Sequence, residues 1–458
     1  MRAIEVIFGS RLIIKPSNVH SLQYPVGQTR GSDYATSPRP LPQLPPEIWL
    51  MTFRKATWIP GTTRLSDRDE FTAYARDDHG LNLYIRHRQA MDTKLSLSLV
   101  SKSWRILAAE FLYEYIVIKN GEQACQVNNV FKHDGYHLGQ QTYSSCTTRI
   151  DLALEDVHVW EDHHTSAVVS ILKHCSNLVT FSTAFSTAEA YLFYPSTFLQ
   201  ALVPLRDLKK LRRLELRGDV NFLNDIVSQV TEEIEILWLL PPPKGSRRNE
   251  SLSLCLPKLR TLKMSFIEAK FTLDWQMPSL ENYSTGEVVY LPQHLEANGS
   301  HLRWVAIPKP AFVITTLSFC PNLLELDIQF GGTSLVPFNW TCSHTNLRRI
   351  LFEGCPDFSR PISWYKESNS SHLKCLRTSL LTLINGTTFP ALECIRLVLS
   401  LNWIPYDGEP PDVFTHIWDF WLDSCTSRGI RVEVSVGASD HTADIWQPFS
   451  SSMLLRTL

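Results

Sequence analysis

One short apolar pattern restricts the fold of this 458-residue chain more than any other feature. It has the form leucine-x-x-leucine-x-leucine, with Ile, Val, Met or Phe replacing leucine at some positions. Clear copies start at Leu211, Ile234, Leu259, Leu302, Leu323, Leu347 and Leu392, and weaker ones at Leu178 and Leu280. Most consecutive starts are about 20 to 26 residues apart, with longer gaps around 180–205 and 355–390. Inside each copy apolar and polar residues alternate, as in a strand with one buried face. A unit of this length can supply one strand and one helical or irregular return. It cannot bury its apolar face alone, so the units must stack and share one strip of core.

This period is that of leucine-rich repeats. Two copies share a further step from return to strand, Cys175-Ser176-Asn177-Leu178 and Cys320-Pro321-Asn322-Leu323, and one runs on to a cysteine at Cys355. The chain resembles a degenerate leucine-rich-repeat protein over 148–437, with insertions or lost repeats in the two gaps. Phe414, Ile417, Trp418 and Trp421 make a helical stripe near the end, Gly429 to Val434 reads as a closing strand, and 438–458 as a tail. In a stacked sheet the residues between the buried positions of each strand line the concave face. The candidates for binding a partner there are Arg213, Glu215, Arg217, Lys263, Glu325, Asp327, Gln329 and Arg349. Their charge runs from basic to acidic along the array.

Two segments precede the repeats. Leu44-Pro45-Pro46-Glu47-Ile48-Trp49-Leu50-Met51-Thr52-Phe53 reads as a helix start, with proline in the first turn and Glu47 at the positive end of the helix dipole. Lys94 to Ala108 reads as one helix, its stripe being Leu97, Val100, Trp104, Leu107 and Phe111. Leu44, Pro45, Glu47, Ile48 and Phe53, followed by Leu99, Val100, Ser101, Lys102, Trp104, Leu107 and Ala108, resemble the two halves of an F-box. The layout, with Ala56 to Gly61 and Phe111 to Tyr115, is similar to F-box proteins of mushroom-forming fungi over about 75 residues. It departs from the family in one respect: a polar segment, 61–89, stands between the halves and reads as a solvated insertion. The resemblance implies docking of the small Skp adaptor through Leu44, Pro45, Ile48, Leu50, Phe53, Leu99, Val100 and Trp104, and through it a cullin scaffold. Trp104 has a second reading as internal core. The whole helical pair also has one, as a cap that seals the end of the repeat stack.

The β-branched run Tyr115 to Ile118 reads as a strand, Gly121 to Phe131 as a helix, and His133 to Ser145 as a loop. The organisation expected is therefore α/β: a leader at 1–40, a helical module at 41–118 with its insertion, a linker at 119–147, then an irregular solenoid of parallel strands with helical or irregular returns. The formal net charge of −2 offers no basic footprint for nucleic acid. No apolar run approaches the roughly 18 residues of a membrane span, and Ile4 to Phe8 is too short and too charged for a signal-peptide core. Ten cysteines are scattered without a CxxC, as in a reduced protein of the cytoplasm or nucleus. No P-loop, GxSxG, GxGxxG or HExxH motif occurs, so no catalytic residue, cofactor or metal is expected. Asp162-His163-His164 is the one metal-like triplet; without distant ligands it reads as a polar helix start capped by Asp162 or Thr165. The function expected is substrate recognition for an SCF (Skp–cullin–F-box) ubiquitin ligase, with an unknown protein held on the repeats. The alternative is a repeat scaffold with no link to ubiquitin.

Overall fold

The computed structural model describes residues 44–59, 81–133, 142–154, 160–184, 202–217, 226–227, 232–240, 254–264, 274–286, 291–329, 340, 342–353, 381–400, 412–437 and 447–448. The leader at 1–40, residues 61–80 of the insertion, Cys355 and most of the tail lie outside them, as do the side chains of Phe414, Ile417 and Trp418.

The described strands form a single sheet in sequence order. They are β1 Tyr115–Ile118, β2 Arg149–Leu152, β3 Thr180–Ser182, β4 Arg213–Arg217, β5 Ile236–Leu240, β6 Thr261–Met264, β7 Asn282–Thr285, β8 Trp304–Ile307, β9 Glu325–Gln329, β10 Arg349–Glu353, β11 Cys394–Ser400, β12 Arg431–Gly437 and β13 Gln447–Pro448. Twelve run parallel; β13 alone turns back antiparallel on β12. Sequential parallel pairing requires the chain to return outside the sheet after every strand. In the early turns the returns are helical. α1 (Pro46–Ala56), α2 (Leu81–Val100) and α3 (Lys102–Glu114) precede β1, α4 (Gly121–Lys132) and the short α5 (Tyr143–Cys146) join β1 to β2, and α6 (Asp162–His174) leads to β3. Later come α7 (Leu291–Asn298), α8 (Val313–Phe319) and α9 (Asp412–Ser427).

The repeat motif sets the register. Its second leucine position forms one unbroken row across the parallel strands. The row runs Ile116, Ile150, Phe181, Leu214, Leu237, Leu262, Tyr283, Val305, Leu326, Ile350, Ile395 and Val432. Every member is buried. A one-residue slip would turn a whole strand inside out, so this row holds each turn in place. The asparagine before the first leucine has its own task. Asn177, Asn322 and Asn346 donate their side-chain amides to Ser145, Ser300 and Pro321 carbonyls of the preceding turn, at 2.6, 2.8 and 2.9 Å. Gly299 lets two returns touch, because a Cβ there would lie 2.4 Å from the Phe319 carbonyl oxygen.

Three expectations change, and one open alternative is settled. The gaps at 180–205 and 355–390 are insertions, since β3 pairs directly with β4 and β10 with β11. Tyr115–Ile118 is a strand and Gly121–Lys132 a helix, as their patterns predict; what changes is their place, because the sheet already begins at β1 and 119–147, expected as a linker, carries α4 with Ala124, Val127 and Phe131 in the core. The insertion ends earlier than expected, because 81–89 is the first half of α2. The segment Lys94 to Ala108 is two helices. Ser101 breaks it with an extended backbone (φ −160°, ψ 168°), and its hydroxyl accepts the Trp104 N–H at 3.1 Å. Serine competes for backbone hydrogen bonds and so favours a cap over a helix interior.

Candidate functional site

α1 starts at Pro46, which needs no N–H there, and carries Glu47 in its first turn and Arg54 and Lys55 in its last, all favourable to the helix dipole. It is apolar on two opposite sides. Trp49, Leu50 and Phe53 point inward and pack with Leu97, Trp104, Leu107, Ala108 and Phe111 of α2 and α3. The Trp104 ring lies 4.6 Å from that of Trp49 and 4.9 Å from that of Phe53, within the range of favourable aromatic pairs. On the other side Ile48 and Met51, three apart, face solvent, Met51 being 70% exposed, and Leu44, just before the helix, is exposed too. Leu99 and Val100 at the end of α2 and Ile106 on α3 are also exposed, at 52%, 61% and 58%. Among the described residues ten large apolar side chains are exposed, and seven of them lie in this helical region. Isolated exposed apolar residues are ordinary; a concentration on one small module marks a surface that expects a partner.

Of the residues read from the sequence as adaptor contacts, Leu44, Pro45, Ile48, Leu99 and Val100 are exposed. Phe53 is buried and Leu50 and Trp104 are half-buried, so these three build the module's interior. Met51, Trp58 and Ile106 were missed. Met51 stands three residues after Ile48 on the same helical side, and that spacing is the signal that could have found it.

The sheet face opposite the main core is less open than the sequence implies. Ile59 and Ala90, from beside α1 and from α2, join Tyr115, Val117, Ala153, Ala184, Ile236, Trp238 and Leu240 in a second apolar cluster. The His87 ring of α2 sits 4.5 Å from that of Tyr115. Beside this cluster lies a buried ionic network. Arg149 meets Glu215 at 2.9 Å and Asp151 at 2.8 Å, Arg213 meets Glu215, and the Tyr115 hydroxyl donates to Asp151. Burial pushes the Asp151 carboxyl up to about 6 against the pull of Arg149. Burial and the Lys94 charge hold His87 down at about 3.

None of the eight residues expected to bind a partner on this face is exposed. Arg213 and Glu215 are sealed within the network, and Asp327 is buried, accepting the Trp304 indole N–H at 2.9 Å. The half-buried ones are engaged too. Arg349 pairs with Glu325 at 3.1 Å, Gln329 donates to Glu353 at 3.0 Å, and the Lys263 ammonium lies 4.4 Å over the Trp238 ring. Arg217 is half-buried as well, its backbone N–H donating to the Thr183 hydroxyl at 3.0 Å. Part of the basic-to-acidic order is thus neutralised by ion pairs, Arg213 with Glu215 within β4 and Arg349 with Glu325 between β10 and β9, a correction that only the register could supply.

Burial raises the thiols of Cys175, Cys320 and Cys394 to about 12, about 12 and about 11, which suits space-filling over reactivity. At the start of α6 the capping residue is Glu161, one before the triplet, and its N–H donates to His164 Nδ1 at 3.0 Å.

No protein-family model matches this chain, and no curated protein matches its sequence. No helix among the described residues is long and apolar enough to cross a membrane.

Proposed function

We propose that this chain is a substrate-recognition subunit of an SCF-type ubiquitin ligase, with α1 to α3 docking the Skp adaptor and the stacked sheet carrying the substrate surface. The observation that carries this reading is the doubly apolar α1, whose second side, Ile48 and Met51, is exposed next to the exposed Leu44 that precedes it and beside a helix pair that exposes Leu99, Val100 and Ile106. The F-box resemblance of Leu44-Pro45-x-Glu47 and Val100-Ser101-Lys102-x-Trp104 supports it independently. The mechanism is proximity: the adaptor joins the chain to a cullin-bound enzyme, and a captured substrate presents its lysines at high effective concentration.

The test is capture of the purified Skp adaptor by the full chain, beside an Ile48→Asp/Val100→Asp double variant. Both sites are exposed, so folding should be almost unaffected. Loss of two anchors worth roughly 1–2 kcal/mol each weakens capture by at least about 30-fold. Absence of capture by a folded wild-type chain, or equal capture by the double variant, refutes the reading. A second reading has an observation of its own. α3 runs directly into β1, and Ile59 and Ala90 pack with sheet residues, as a cap on a repeat scaffold would. Under it, the same pull-down retains nothing.

A further inference from the structure

A cluster of metal-ligating side chains lies apart from the docking helices, where the returns of the first two turns pack together. Cys125 comes from α4, His163 and His164 from the first turn of α6, and one ligand atom of each lies within 4.8 Å of the others. Glu122, three residues before Cys125, brings Oε1 to 3.8 Å from His164 Nε2, and Glu161 brings Oε2 to 3.1 Å from His163 Nδ1. We propose that this is a binding site for a divalent cation of the zinc type, with Cys125, His163 and Glu122 as ligands and His164 as the hydrogen-bond donor that orients the bound thiolate.

The argument turns on His164. Its Nδ1 accepts the Glu161 N–H, so a neutral ring carries its proton on Nε2. That Nε2 is enclosed, in a residue only 2% exposed, and has no hydrogen-bond partner. Buried donors without an acceptor are rare and unfavourable. The ring is held in place, because a Cβ on Gly121 would lie 2.3 Å from its Cγ. The Glu122 carboxylate, 3.8 Å from Nε2, is beyond hydrogen-bond reach; what the site lacks is an acceptor in contact with Nε2, and a metal-bound Cys125 thiolate is one. His163 is set up in the complementary way. A bond from Nδ1–H to the Glu161 carboxylate leaves the lone pair on Nε2, the arrangement in which histidines bind metals. Sulfur, imidazole and carboxylate together suit Zn(II) or Co(II) over Mg(II) or Ca(II). Binding forms the metal–sulfur bond and releases the thiol proton to solvent. The cation then clips α4 to α6, locking the first two turns of the stack.

The site is tested on the chelator-treated full chain by titration with Co(II). One equivalent should bind, with a thiolate-to-cobalt charge-transfer absorption that Zn(II) abolishes. Cys125→Ser should remove that absorption and weaken binding at least about 100-fold, and His163→Gln should weaken it comparably; neither residue is buried, so both variants should fold. His164→Leu should weaken binding about 10- to 100-fold, as loss of outer hydrogen bonds does at other metal sites. No charge-transfer absorption in the folded chain, or unchanged affinity in Cys125→Ser, overturns the proposal; unchanged affinity in a folded His164→Leu variant overturns the role given to His164.

Discussion

Glu215 is the residue through which the closed state of the early sheet face can be tested. It is fully buried and stands between two guanidinium groups, Arg149 at 2.9 Å and Arg213 on its own strand, with Asp151 balancing Arg149 from the other side. The four charges sum to zero. Glu215→Gln keeps the shape and leaves one buried positive charge uncompensated. Each lost attraction is worth about 4 kcal/mol for charges about 4 Å apart at an effective dielectric near 20. Relief of the Glu215 desolvation, and of its repulsion with Asp151, offsets part of that. Removing one partner of a buried pair costs about 3–5 kcal/mol on balance, and that is the loss expected in urea unfolding followed by circular dichroism. Adding Arg213→Gln restores neutrality, so the double variant should be more stable than the sum of the singles predicts, by about 1–3 kcal/mol. A loss below about 1 kcal/mol for Glu215→Gln would refute the reasoning. Glu215 would then be in water, and the sheet face would be open to a partner at β4, as the sequence alone suggests.

Two further outcomes separate interior from surface and fix a pH dependence. Trp104→Ala should destabilise the helical module by about 3–5 kcal/mol, because the ring packs against both Trp49 and Phe53, whereas Met51→Asp on the exposed side should change stability by under about 0.5 kcal/mol; thermal unfolding of the two variants checks the contrast. His87, held at about 3 in the fold against 6.5 in its absence, stays neutral while the unfolded chain takes up a proton. Its contribution is therefore complete above about pH 6.5 and is lost as pH falls toward 3, up to about 5 kcal/mol at about 1.36 kcal/mol per pH unit. Asp151, raised from 3.8 to about 6, acts in the opposite sense, gaining stability as pH falls through 6 toward 3.8. Replacing His87 by Leu should flatten the acid limb of a stability–pH profile, and an unchanged limb would show that the ring is solvated.

The F-box-like stretch shows how far spacing can be read. The three-and-four rhythm of Leu97, Val100, Trp104 and Leu107 was legible, but the structure divides it between two helices, with Ser101 as the cap. Once the helix ends there, Val100 turns outward while Trp104 turns in. The division of Ile48 from Phe53 is likewise invisible in composition, since both are large and apolar. Only the packing of α1 on α3 decides which side is covered.

The repeat motif by itself determined the parallel stack, its one-strand-per-turn order and the apolar row from Phe181 to Ile395, because those follow from a local period that each unit repeats. It could not determine which charged residues meet. Arg149 and Glu215 are 66 positions apart, and Cys125 reaches His163 and His164 only where α4 packs on α6. Such pairs depend on how successive turns lie against one another, and on insertions whose lengths the period does not set. The tertiary structure therefore decided what is buried on the second face of the sheet, and with it which residues remain for a partner.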